Sequence, residues 1–174
     1  MSHGLTFDEE NCYYKKVIPE RDYKSKWLDG WKTLPLHFEL NMKVNSHTPD
    51  RYGRAKVGKH IEFQIHFGDP SGGPRMEFFA ASLEYKEEKK IYIGGKVSTC
   101  KSFAPRVAYE VGVTYNIRYL LEAGKATAWV DGTKLYECTF NPNDFYAKVK
   151  LGFQNWGGHG SSEVWGYKEL PIPQ

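Results

Sequence analysis

The chain has 174 residues, and its 24 Lys and Arg against 21 Asp and Glu residues give a formal net charge of +3. Because the two signs are interspersed, the charge pattern argues against a nucleic-acid partner, and no stretch is long and apolar enough to predict a membrane span. The length suits a single domain over 1–174 that buries a two-sheet core. Aromatic residues make up 16% of the chain at a mean hydropathy of −0.61, so some rings are expected to be exposed for use.

The first two thirds of the chain read as short strands separated by turn-forming segments. Residues 1–35 are predicted to hold an edge strand at 5–7, followed by an irregular, aromatic-rich connection. Alternating apolar and polar residues predict strands at 36–44, 60–67, 75–85 and 90–97. The segment 45–59 is rich in turn formers and basic residues, which is typical of a long loop.

The most regular pattern lies within 112–158. Apolar and polar residues alternate over 115–121 and again over 126–130, and Asp131-Gly132 has the chemistry of a tight hairpin turn before a partner strand at 135–140. Strands at a spacing of about ten residues, punctuated by Gly and Pro, are typical of a sandwich. The sequence therefore predicts an all-β fold with two antiparallel sheets.

Several short motifs carry a resemblance to a known superfamily. They are Gly112-x-x-Tyr115, Val130-Asp131-Gly132 and the V-x-L-G of residues 149–152, with weaker matches in the strands 36–44 and 163–170. In these motifs the chain resembles the concanavalin-A-like jelly rolls, which include legume lectins, galectins, laminin-G-like modules, β-glucanases and alginate-lyase-type polysaccharide lyases. The resemblance implies a concave sheet that presents polar side chains to carbohydrate.

Segment 60–67 has the sharpest local chemistry. Its apolar residues fall on one face of a strand, and its polar residues His60, Glu62, Gln64 and His66 fall on the other. Planar polar groups can pair with the donors and acceptors of sugar hydroxyls, so this face is a candidate ligand site. The alternative is a solvated sheet face without a ligand.

The next strand is expected to extend this face. Arg75 and Glu77 follow there with Phe79 on the same side, although a cross-strand ion pair would also explain the two charges.

The closing region is expected to add further contacts. Gln154 and Trp156 share a strand face, with Trp156 stacking on a sugar ring or packing in the core, and His159 lies in a glycine-rich stretch. Trp129 and Trp165 are expected in the core or between the sheets.

The N-terminal connection adds two further indoles. Trp27 and Trp31 could rim the cleft or pack over an edge of the sandwich.

Sequence motifs give partial support for a catalytic function. The E-x-D-x-x-E strand of glucanases is absent, so retaining glycosidase activity is not expected. Gln64-Ile65-His66 matches the Q-[IV]-H strand of alginate-lyase-type enzymes, a resemblance that implies Gln64 on a uronate carboxylate and His66 or His60 as base. Those enzymes also carry an upstream R-x-E-x-R strand, which is absent here, and Gln154 stands near the place of their catalytic tyrosine. Galectin ligand motifs are absent as well.

Cofactor, location and assembly are less well defined. Three cysteines, Cys12, Cys100 and Cys138, leave an odd thiol and lack zinc spacing. No metal is predicted, and calcium is left undecided because the acidic loop residues have turn explanations. The start of the chain has no apolar signal region, so the expectation is a reducing cytoplasm or unconventional export, unless this is a mature form. The oligomeric state is not predicted.

These patterns predict a non-catalytic, lectin-like carbohydrate-binding domain. Two alternatives remain: a polysaccharide lyase that acts on uronate-containing glycans by β-elimination, and a protein-interaction sandwich without a sugar site.

Overall fold

A computed structural model describes the backbone over residues 4–8, 13–18, 23–27, 30–47, 58–68, 74–85, 89–97, 107–140, 148–156 and 160–173. Side chains are described over 30–46, 62–68, 78–84, 89–95, 97, 107–140, 149–153 and 161–173. Within these ranges, no helix is long and apolar enough to cross a bilayer.

The described residues form fourteen strands. They are β1 Gly4–Asp8, β2 Tyr13–Ile18, β3 Tyr23–Trp27, β4 Lys32–Thr33, β5 Leu36–His47, β6 Gly58–Gly68, β7 Pro74–Tyr85, β8 Lys89–Lys96, β9 Val107–Ala108, β10 Thr114–Glu122, β11 Lys125–Val130, β12 Thr133–Thr139, β13 Lys148–Trp156 and β14 Gly160–Glu169.

The strands make two sheets of seven strands each. Sheet A has the order β1-β2-β14-β5-β10-β11-β12. Sheet B has the order β3-β13-β6-β7-β8-β9, with β4 also paired to β13. The described pairings are all antiparallel, so the predicted all-β, two-sheet fold is confirmed.

One face of each sheet is packed into a common core. Phe38 of sheet A and Phe63 of sheet B are both fully buried, and their ring centroids lie 5.5 Å apart. The Tyr119 hydroxyl donates a hydrogen bond across the core to the Ala80 carbonyl oxygen at 2.5 Å. Each large apolar side chain buried in this way contributes roughly 1.5–3 kcal/mol, so the two sheets are held together mainly by ring packing.

The hairpin between β11 and β12 has the predicted turn. Asp131 and Gly132 have φ values of 48° and 83°, while Val130 and Thr133 are register partners. Two consecutive positive φ values are the geometry of the two-residue turn that matches strand twist. The Asp131 carboxylate also accepts a hydrogen bond from the Asn116 backbone N–H at 2.8 Å, which ties the turn to β10.

The N-terminal part of the chain differs from its prediction. Where an irregular connection is expected, the structure has β2, β3 and β4. They pair with β14 and β13, near the other end of the chain. Apolar and polar residues come in doublets in β2, so the period of two is absent and the strand is recognisable only by its partner.

Trp129 and Trp165 also differ from their prediction. Both are half-buried rather than in the core. Ala128, Val130 and Val164 on the same strands are buried in the core, so alternation turns the two indoles to the outer face of sheet A. The prediction that they lie in the core is wrong.

Cys138 in β12 is disulfide-bonded. The location of the protein stays a prediction.

Candidate functional site

The outer face of sheet B carries the polar residues of β6. Phe63, Ile65 and Phe67 point into the core and are fully buried, so alternation places Glu62, Gln64 and His66 on the opposite face. The predicted division of this strand into an apolar and a polar face is therefore correct over the part whose side chains are described.

These three side chains form a hydrogen-bonded chain. Gln64 Nε2 donates to Glu62 Oε1 at 2.7 Å, and Gln64 Oε1 lies 2.7 Å from His66 Nε2. A carboxylate only accepts hydrogen bonds, so the amide nitrogen faces Glu62 and the amide oxygen faces His66. His66 therefore carries a proton on Nε2, and the whole chain is directional from His66 to Glu62.

The inner part of this face is enclosed. Glu62, Ser82 and Glu84 are at most 4% exposed, and Gln64 is 6% exposed. The alternative of a solvated sheet face is wrong for these residues. Within the described part of the chain the Ser82 hydroxyl has no hydrogen-bond partner, and burying a polar group in that state is unfavourable. This enclosed part of the face is therefore polar, and not all of its polar atoms have hydrogen-bond partners among the described side chains.

One end of the face remains accessible, and we call it the end row: Trp31, Lys150, His66 and Phe78. All four are half-buried. Lys150, His66 and Phe78 are register partners on β13, β6 and β7. The His66 ring stacks on Phe78 with centroids 5.0 Å apart and planes 13° apart, which fixes its orientation.

Trp31 completes the end row beyond β13. The Lys150 ammonium group lies 5.5 Å from the centroid of the Trp31 ring, within the range of a cation–π contact. A Cβ at Gly68 would overlap the Trp31 ring, so the ring lies directly against the backbone of β6. The end row thus combines aromatic surfaces at both ends with the Lys150 ammonium group and the His66 imidazole between them.

The structure brings together only part of the predicted site. Glu62, Gln64 and His66 are neighbours, and the register places Gln154 opposite Glu62 and Trp156 opposite Lys59. The side chains of His60, Arg75, Glu77, Gln154 and Trp156 lie outside the described residues, as does the whole of His159, and their assignment stays a prediction.

The predicted position of Phe79 is wrong. The sequence predicts Phe79 on the face that carries the polar residues of β6, but Phe79 is fully buried in the core. The β7 residues on the outer face are Phe78, Ala80, Ser82 and Glu84. The register between β6 and β7 shifts between His66 and Gly68. Alternation counted from the sequence alone therefore does not predict which β7 side chains share a face with His66.

Lys150 and Phe78 were not predicted as site residues, and Trp31 only as one of two residues that could rim the cleft. Lys150 belongs to the V-x-L-G motif that carried the fold resemblance, but only the register with β6 places it beside His66. No signal in the sequence around residue 31 connects Trp31 to β6. Gly68, which makes room for the ring, is 37 residues later.

The described side chains do not gather three or more His, Cys, Asp or Glu residues into a group that could hold a metal ion. The end row contains no carboxylate, and its chemistry is that of ring stacking and hydrogen-bond donation.

Comparison with known proteins gives fold similarity only. No protein-family model and no curated sequence matches the chain. The carbohydrate-binding module CBM66 from Bacillus subtilis matches with a TM-score of 0.63 and 8% identity over 98% of this chain and 92% of its own. The fold is a concanavalin-A-like jelly roll.

Two further structures share this jelly roll. LamAcat from Zobellia galactanivorans matches with a TM-score of 0.65 and 12% identity, over 95% of this chain and 82% of its own. A native glycosidic hydrolase matches with a TM-score of 0.59 and 13% identity, over 97% of this chain and 82% of its own. At these identities the likeness confirms the architecture and leaves the site to be argued from its own residues.

Proposed function

We propose that the protein is a non-catalytic carbohydrate-binding domain whose ligand sits on the end row of sheet B. The observation that carries the proposal is the arrangement of Trp31, Lys150, His66 and Phe78 at the accessible end of an otherwise enclosed polar face. An aromatic ring can stack on the C–H face of a sugar, while Lys150 can donate to its hydroxyl groups and His66 offers its second ring nitrogen, Nδ1.

The hydrogen-bonded chain behind the end row supports this role. Gln64 fixes the His66 ring from the side at 2.7 Å, and Phe78 fixes it from one face. A polar group that is already oriented loses little conformational entropy on binding, so a neutral ligand can be held without a large interface. Neighbours of the same fold include a protein named as a carbohydrate-binding module and one named as a glycosidic hydrolase.

Binding is favoured over hydrolysis by the position of the acidic residues. Glycoside hydrolysis uses two carboxyl groups that flank the scissile bond. On the described outer face of sheet B, Glu62 is fully buried and Glu84 is 4% exposed, so neither carboxylate reaches the end row.

The contacts of Gln64 bear on the lyase alternative. In that mechanism the Gln64 amide would neutralise a uronate carboxylate. Here one N–H of the amide nitrogen donates to Glu62 and the amide oxygen faces His66, so the Glu62 carboxylate competes with a uronate for the Gln64 amide. The geometry therefore favours binding of a sugar without elimination.

The test is a titration with neutral and acidic polysaccharides that records tryptophan fluorescence and the ultraviolet absorbance of unsaturated uronates in the same samples. We expect saturable quenching without new absorbance. Lys150→Ala is expected to weaken binding of a neutral glycan about fivefold or more, since loss of one oriented hydrogen bond is worth about 1 kcal/mol.

Lys134→Ala is the matched control, because Lys134 is an exposed lysine on sheet A. It should leave glycan binding unchanged. Equal loss in both variants, or no loss in either, would contradict the end-row assignment. New absorbance that disappears in His66→Ala would identify a lyase, and capture of a discrete protein without any glycan binding would favour the interaction-module alternative.

A further inference from the structure

Arg118 on the outer face of sheet A is a cation held in place by neutral groups. Its guanidinium carbon lies 3.7 Å from the centroid of the Trp129 ring, a close cation–π stack. Its Nη1 donates a hydrogen bond to His37 Nε2 at 3.1 Å. The side chain is half-buried, so the stack and the hydrogen bond leave the guanidinium little freedom to move.

His37 contributes no charge to this contact. It is 7% exposed, and its Nδ1 lies 2.7 Å from the Pro171 carbonyl oxygen. A carbonyl oxygen only accepts and a guanidinium only donates, so Nδ1 carries the proton and Nε2 accepts from Arg118. His37 is therefore a neutral imidazole that positions Arg118 without neutralising it.

No carboxylate in the described part of the chain pairs with Arg118. Glu39 is its register partner on β5, but the Glu39 carboxylate accepts from Asn116 Nδ2 at 3.4 Å and forms no ion pair with the guanidinium. Four of the five N–H groups of Arg118 thus have no partner among the described side chains. A guanidinium in this state presents the fork that binds a carboxylate or sulfate group through two parallel hydrogen bonds.

The row beside Arg118 has groups that suit a sugar ring. Trp165, Asn41 and Asn116 are register partners on β14, β5 and β10, and all three are half-buried. The bulge at Gly166 brings β14 close to this row, since a Cβ there would lie 2.8 Å from Asn41 Nδ2. Planar amides pair with hydroxyl groups, and an indole packs against the C–H face of a sugar.

We propose that this outer face of sheet A is a second binding site, for an acidic saccharide. Arg118 binds the carboxylate or sulfate group, and Asn41, Asn116 and Trp165 contact the ring that carries it. The site lies on the opposite side of the sandwich from the end row and uses charge, which the end row does not need. It stands independently of the proposed function, because neither site shares a residue with the other.

The experiment is a calorimetric titration with four probes: an oligogalacturonate, a sulfated oligosaccharide of the same length, a neutral oligosaccharide of that length, and inorganic sulfate. We expect saturable binding of at least one acidic oligosaccharide that weakens as salt rises. Arg118→Gln is expected to weaken it about tenfold or more, since hydrogen bonds to charged groups are worth about 1.5–3 kcal/mol.

Lys125→Gln is the matched control, since it removes the same charge from the same sheet, and the Lys125 side chain, 44% exposed, already faces Glu137. It should change the affinity less than about twofold, as expected for a screened surface charge. Glu39→Gln should strengthen binding, because it removes a carboxylate next to the bound oxyanion. Lys150→Ala in the end row should leave binding of the acidic probe unchanged, which separates the two sites.

Several outcomes would overturn the proposal. They are the absence of saturable binding of both acidic probes, equal loss in Arg118→Gln and Lys125→Gln, weaker binding in Glu39→Gln, and inorganic sulfate binding as tightly as the oligosaccharides. A readout that needs no Arg118 variant is the indole N–H resonances of Trp129 and Trp165 in the wild-type protein, assigned with Trp129→Phe and Trp165→Phe. Both are expected to shift on titration, and unshifted indoles would place the ligand elsewhere.

Discussion

Two buried tyrosines in the core have hydroxyl groups in opposite situations. The Tyr119 hydroxyl donates to the Ala80 carbonyl oxygen, whereas the Tyr136 hydroxyl has no partner in the described part of the chain. We expect Tyr119→Phe to lower the free energy of unfolding by about 1–2 kcal/mol, because it leaves a buried carbonyl without its donor. Tyr136→Phe should stay within about 0.5 kcal/mol of the wild type or stabilise it.

Urea unfolding of the two variants measures the difference, and each serves as the control for the other because the same atom is removed. Equal destabilisation would mean that the Tyr136 hydroxyl has a hydrogen-bond partner after all. The ring contact of Tyr136 with Phe79, whose centroids lie 6.1 Å apart, is kept in both proteins.

At the scale of one strand, β8 depends on a glycine for its distance from β7. A Cβ at Gly95 would overlap the Phe78 carbonyl oxygen and lie 2.9 Å from the Phe79 Cα. Because both are backbone atoms, the strands would have to separate. Gly95→Ala is therefore expected to lower the free energy of unfolding by about 3 kcal/mol, the upper range for overpacking.

Gly132→Ala is the matched control in the hairpin turn. Gly132 has a φ of 83° but nothing within 4 Å of a Cβ, so only backbone strain of about 1 kcal/mol is expected. Urea unfolding compares the two. If Gly95→Ala cost no more than Gly132→Ala, the close approach of β7 and β8 would not be a constraint on the fold.

At the scale of the whole molecule, the buried tyrosines set an upper pH limit for stability. Burial raises the pKa of Tyr136 to about 12, and burial, followed by the neighbouring Tyr136, raises the pKa of Tyr119 well above its usual range. Both pKa values exceed the unfolded value of about 10. Their contribution to stability is therefore complete below about pH 10 and is lost as the pH rises towards 12.

We expect the urea midpoint to fall between pH 10 and pH 12. The fall should be less steep in Tyr136→Phe, which lacks one of the two groups, and equal slopes in the wild type and the variant would contradict this account. Glu137 does not limit stability at alkaline pH, because its hydrogen bond to Lys134 lowers the pKa of its own carboxyl group.

The candidate sites show how far local pattern reaches. Alternation along β6 places Glu62, Gln64 and His66 on one face, and the structure agrees. The same rule, applied to Ala128 and Val130, turns Trp129 outward, against the usual preference of indoles for the interior. Alternation is the more reliable guide in a strand whose small residues already fill the core positions.

Features that depend only on neighbouring residues can be predicted from the amino-acid sequence. These are the two faces of the long strands and the hairpin at Asp131-Gly132, because side-chain period and positive φ are local properties of the chain. They were enough to predict two antiparallel sheets in a jelly roll.

Features that depend on distant residues are seen only in the folded protein. Lys150 comes to lie beside His66 through the pairing of β13 with β6, and His37 comes to lie between Arg118 and Pro171 through contacts that span most of the chain. The burial of Glu62 follows from packing around sheet B and not from its own strand. Such contacts join residues that are tens to more than a hundred positions apart, so they cannot be predicted from the sequence around each residue.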